Sequence, residues 1–133
     1  MSWDIFVQEI PPDVRLVEEI PASFRPGTIG TRDEIIEGIQ RVFPEADFSD
    51  PSWGKVDGPT YSIEVNIGAD DPVTSFALHV RGGDQAAYVV HDILTELGLR
   101  AFDLSHPTGI FALDAGSLEG LREWREYRDG ALG

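Results

Sequence analysis

The chain has no cysteine, one methionine and one lysine, Lys55; the other nine of its ten basic residues are arginines. Without cysteine there are no disulfides, no thiol nucleophile and no thiolate metal site, which fits a reducing compartment. No stretch approaches the ~20 apolar residues that a membrane-spanning helix needs. The opening Met-Ser-Trp-Asp-Ile-Phe-Val-Gln-Glu-Ile lacks the basic start and apolar run of a signal peptide, so the expected compartment is the cytoplasm. Basic residues are scarce against 24 acidic ones, and the formal net charge is −14. Nucleic-acid binding draws much of its affinity from cations on phosphates, so no nucleic-acid partner is expected. Anionic membranes are disfavoured on the same ground. The charge favours solubility, which is its plainer reading, and it permits a basic protein partner.

What is present suffices for a core. The 133 residues are 41% apolar, too many for a disordered chain, and the length suits one domain spanning 1–133. Residues 3–10 read as a central strand, because both alternating faces carry an aromatic or branched side chain. Pro11 and Pro12 end it, and 11–30 reads as a long irregular segment with a short helical turn around 13–19. Thr31-Arg32-Asp33-Glu34 is a capping box, followed by Ile35, Ile36, Ile39, Val42 and Phe43 on one helical face; Pro44 stops the helix. Residues 44–60 read as a second loop. Two strands follow, with Tyr61, Ile63, Val65 and Ile67 alternating in the first and Phe76, Leu78 and Val80 in the second. The pattern pairs Val65 with Phe76, Ile63 with Leu78 and Tyr61 with Val80, because a one-residue slip would set apolar against polar. Asp84 is the expected cap of a second helix, with Ala86, Ala87, Val89, Val90, Ile93, Leu94 and Leu97 as its apolar face and Gly98 as its stop. A strand over 99–104, a short strand over 109–113 and a C-terminal helix over 117–129 complete the reading.

That order predicts an α+β fold: a ferredoxin-like βαββαβ antiparallel sheet with both helices on one face, plus a C-terminal hairpin or helix extension over about 113–133. The segments 1–8, 46–54, 62–68 and 76–83 resemble a set of small bacterial proteins. The resemblance covers roughly residues 1–105. It implies an intracellular domain and carries no activity, site or cofactor with it.

Several constellations of side chains could carry chemistry. The outward face of the two central strands carries Glu64, Asn66, His79 and Arg81, a carboxylate, amide, imidazole and guanidinium able to hold a polar ligand or exchange protons; in the expected register Glu64 and His79 are diagonal neighbours. The competing reading is an ordinary solvated face. Trp53 beside Asp50 in the 44–60 loop would, if exposed, suit a protein interface; the competing and favoured reading for most of Trp3, Trp53 and Trp124 is core packing. His79, His91 and His106 lack metal-ligand spacing, and Glu45, Asp47, Asp50 and Asp57 lack the alternation of a calcium loop, so no metal and no cofactor is expected. Arg81-Gly82-Gly83-Asp84 precedes a helix but is no phosphate loop, and its aspartate would repel an anion. With no nucleophile in a recognisable motif, an enzyme is the less favoured reading. The favoured one is an acidic interaction module, monomer or homodimer, that binds a basic protein in the manner of an immunity protein or inhibitor. A polar-ligand site on the sheet face and a homodimeric structural protein are the alternatives.

Overall fold

The computed structural model describes residues 3–82 and 85–113. Its elements are β1 (Trp3–Gln8), α1 (Arg32–Val42), β2 (Asp47–Asp50), β3 (Trp53–Asp57), β4 (Tyr61–Asn66), β5 (Ser75–Gly82), α2 (Gln85–Leu97) and β6 (Arg100–Asp103). The six strands form one sheet in the order β2-β3-β4-β5-β1-β6, with every pair antiparallel. The α+β class is as expected. The ferredoxin-like order is not matched exactly, because β2 and β3 are inserted after α1 and extend the sheet beyond β4 at one edge. The expected helix over 117–129 and the helix cap at Asp84 lie outside the described residues.

One face of the sheet and one side of each helix make the core. Trp3, Ile5 and Val7 of β1, Ile63 and Val65 of β4, and Phe76, Leu78 and Val80 of β5 are buried with Ile35 and Ile39 of α1 and Ala86, Ala87, Val90, Ile93 and Leu94 of α2. Each fully buried branched side chain contributes roughly 2 kcal/mol over its exposed state. Gly38 lets the two helices approach, since a side chain there would run into Leu97 of α2. Arg41 and Glu96 bridge the helices at 2.5 Å on the solvent side.

Local signals set the start of α1 and the end of α2. Thr31 Oγ1 accepts from the Glu34 N–H at 3.2 Å, and Glu34 Oε1 accepts from the Thr31 N–H at 3.0 Å. Two of the orphan donors of the first turn are thereby met. At the end of α2, Gly98 takes φ +65°, its N–H donates to the Thr95 carbonyl and the Leu99 N–H donates to that of Leu94. These are the paired bonds of a glycine-terminated helix.

Three expectations need correction. First, β4 and β5 pair two residues away from the expected register: Ile63 faces Val80, Val65 faces Leu78 and Tyr61 faces Gly82. A two-residue slip leaves every side chain on its own face, so the apolar pattern cannot detect it. Gly82 opposite Tyr61 is demanded by the backbone: it has φ +109°, and a Cβ there would strike the Thr60 carbonyl and the Tyr61 backbone. Second, 44–60 is not a loop but contains the β2–β3 hairpin, in which only Phe48, Gly54 and Val56 turn inward. Gly54 supplies no apolar side chain to the pattern, because the Phe48 ring occupies that space. Third, the strand expected over 109–113 reduces to a single bridge between Ile110 and Phe102, plus one bond from the Phe111 N–H to the Ala101 carbonyl.

The 11–30 segment packs over one end of the sheet. Val14 is buried with Ile10 and Ile110 in a small second cluster, and the Arg100 guanidinium donates to the carbonyls of Pro11 and Val14, both at 2.6 Å. The expected helical turn is a three-residue 3-10 turn over Val17–Glu19. At the opposite end of β1, the Trp3 indole N–H is 2.9 Å from both Asp103 Oδ1 and Ser105 Oγ. Asp103 is fully buried; the Ser105 N–H and hydroxyl also donate to its Oδ1, while its Oδ2 has no partner.

Candidate functional site

Strand alternation that buries one face necessarily presents the other. Among the described residues, neither helix lies on that second face, and the 11–20 stretch reaches only its β6 end. Its side chains fall into cross-strand rows. One row runs Trp53, Asn66, Ala77, Phe6, Phe102 across β3, β4, β5, β1 and β6; the next runs Lys55, Glu64, His79, Asp4.

Glu64, Asn66, His79 and Arg81 all stand on this face, but not in the partnership expected. Glu64 is directly opposite His79 in the ladder, yet its carboxylate meets Arg81, at 3.4 Å. The His79 partner is Asp4 of β1, whose Oδ1 is 2.8 Å from Nδ1. On the other side the Trp53 ring stacks on the imidazole, centroids 5.9 Å apart and planes 24° apart. To do so Trp53 reaches across β4 above Asn66, which is opposite it in the ladder. His79 is thus held between a carboxylate and an indole, an arrangement that fixes its ring and leaves Trp53 38% exposed. Asp50 does not join the cluster. It caps its own turn, accepting from the Ser52 hydroxyl at 2.7 Å and the Ser52 N–H at 3.0 Å, and these two bonds hold its carboxyl below the ordinary carboxylate value. Asp47 is lowered in the same way by the Ser49 hydroxyl and N–H.

Beside this cluster lies a shallow groove of about 670 Å³. Phe6, Ala77 and Phe102 line it together with Asn66, Gln8 and Ser75; Val17 and Leu104 line it at the β6 side, and Gly68 and Asp70 in the β4–β5 loop. Of the four face residues first singled out, Asn66 alone lines this groove. Asp4, Phe6 and Leu104 were missed as site residues. Asp4 and Phe6 share the outward parity of β1, but that signal needs β5 as the neighbour of β1 before it points anywhere. Leu104 follows β6 and is 76% exposed, which no periodicity announces.

No group of three or more histidine, aspartate or glutamate side chains among the described residues is placed to hold a metal ion. No helix among them is long and apolar enough to cross a membrane. Set beside known proteins, the chain finds no counterpart: no protein-family model, no curated protein and no solved structure matches it. The described residues define the class: an α+β protein with a six-stranded antiparallel sheet and two helices.

Proposed function

We propose that the protein is a non-enzymatic interaction module of the cytoplasm that binds a basic protein through the open face of its sheet. One observation carries the reading: the uncovered face sets exposed aromatic and aliphatic side chains, Trp53, Phe6 and Leu104, among the carboxylates of Asp4, Glu64 and Asp70. Aromatic anchors desolvate a partner's apolar groups, and rim charges select its sign and speed encounter. The surplus of acid over base in the whole chain works in the same direction. An inhibitor that fills the cationic cleft of a toxin is one concrete form.

The test is affinity capture from cell extract at low and high salt, with the native chain and a Trp53→Ser, Phe6→Ser double variant. A partner of basic isoelectric point is expected, retained at low salt, weakened at high salt and lost with the variant. Retention that ignores both salt and the variant would overturn the reading.

A polar-ligand site is the second reading, favoured by the clasp of His79 between Asp4 and Trp53. It predicts that small anions or carbonyl compounds move the His79 ring resonances; a fragment screen that leaves them unmoved removes it.

A further inference from the structure

The groove beside His79 has a composition that selects its occupant. Its floor is the middle of one cross-strand row, Asn66, Ala77, Phe6, Phe102. Ala77 is the small residue of that row, so the floor dips between the Phe6 ring and the Asn66 amide. The dip is apolar and open to solvent, a shape for one bulky side chain projecting from a passing segment rather than for an enclosed small molecule. Around it Gln8, Asn66 and Ser75 offer amide and hydroxyl groups to the main chain of such a segment. The lining holds a single charge, Asp70, and no cation. Among the described residues Asp70 forms no ion pair, since the three that occur join Arg41 to Glu96, His79 to Asp4 and Arg81 to Glu64.

We infer that this groove is the anchor site for a partner segment in which a large apolar side chain is followed by Lys or Arg, the apolar group seated over Ala77 and the cation against Asp70. The inference rests on the interaction reading above and adds the partner's local chemistry. Apolar burial supplies the affinity, and the unpaired carboxylate supplies the preference of sign.

The probes are three capped hexapeptides, Gly-Ser-Phe-Arg-Ser-Gly, Gly-Ser-Phe-Glu-Ser-Gly and Gly-Ser-Ala-Arg-Ser-Gly, titrated into the ¹⁵N-labelled full chain at low salt. The Phe-Arg peptide is expected to shift the amide resonances of Phe6, Asn66, Asp70 and Ala77. It should bind roughly fivefold more tightly than the Phe-Glu peptide, the ratio that an exposed charge pair of up to about 1 kcal/mol gives. The Ala-Arg peptide should leave those resonances in place. Asp70→Asn should bring the Phe-Arg to Phe-Glu ratio to about one, and Ala77→Trp, which fills the dip from an outward position, should abolish binding while the circular-dichroism melt is retained. Equal binding of the Phe-Arg and Phe-Glu peptides, or shifts that avoid the groove, overturns the inference. So do groove resonances that move with protein concentration alone, which would identify a second copy as the occupant. Capture of a basic partner that survives Ala77→Trp keeps the interaction reading and sinks the groove; failure of capture with every variant and at every salt sinks the reading itself.

Discussion

Replacing Trp3 by phenylalanine tests the polar knot that ties the first strand to the last. The indole N–H lies 2.9 Å from the buried Asp103 Oδ1 and from Ser105 Oγ, and phenylalanine keeps an aromatic ring in the core while deleting that donor. Removing one partner from a buried polar group costs about 1–3 kcal/mol. Two donors from Ser105 remain on the same oxygen, so the top of that range is not reached and about 1.5–2 kcal/mol applies. The smaller ring leaves a void beside Phe111, whose ring centroid is 6.0 Å away, and adds about 1 kcal/mol. The sum, about 3 kcal/mol, should lower the melting temperature by about 10 °C in a domain of this size. Only the hydrogen-bond part should vanish when its acceptor is already gone. In a double-mutant cycle of Trp3→Phe with Asp103→Ala, followed by urea unfolding and far-ultraviolet circular dichroism, the coupling is expected to be about 1–2 kcal/mol. A coupling within about 0.5 kcal/mol of zero would show that indole and carboxylate do not meet in solution, and the account of how β1 and β6 are joined would fail with it.

Three shorter predictions go with it. Thr31→Ala removes the acceptor for the Glu34 N–H and should cost about 1 kcal/mol, with Thr31→Asp retaining most of the stability; thermal melts decide this. Gly82→Ala forces a side chain into φ +109° against the Thr60 carbonyl and should destabilise by about 2 kcal/mol or more, whereas Gly68→Ala, with open space around it though also at positive φ, should cost less. Asp47, Asp50, Glu19 and Glu34 all have folded carboxyls below their ordinary values through hydrogen bonds to their charged forms. Their stabilisation is therefore present above the unfolded carboxylate range and lost as pH falls through the folded values. Urea midpoints should drop from about pH 5 towards pH 3, and less steeply in a chain with Asp47→Asn and Asp50→Asn.

Much of the fold was legible because its signals are local. The Thr31–Glu34 box, the Gly98 stop and the alternation of Ile63, Val65, Leu78 and Val80 each state their structure within a few residues. The β2–β3 hairpin was hidden because its strands are short and mostly polar outward, and because Gly54 occupies an inward position that an apolar side chain would have marked. The pairing of β4 with β5 was misplaced by two residues because parity is all that an alternating pattern encodes. The candidate face was legible in part: Glu64, Asn66, His79 and Arg81 do share it. The partners that give it form, Asp4 for His79 and the Phe6–Phe102 floor of the groove, come from strands distant in the chain, and their juxtaposition is a product of sheet order rather than of spacing.

The two rims of the sheet bear on how anything could attach to it. On the outer side of β6, the Asp103 N–H already donates to Gly109 and the Ala101 carbonyl already accepts from Phe111. At the far rim, β2 is four residues long, is irregular between Asp47 and Asp50 and ends in aspartates at both positions. Short, kinked, charged margins resist growth of a ladder by a foreign strand. Recruitment by strand addition is therefore discouraged at either margin, as is end-to-end fibre growth, and a visitor must lie across the strands rather than alongside them.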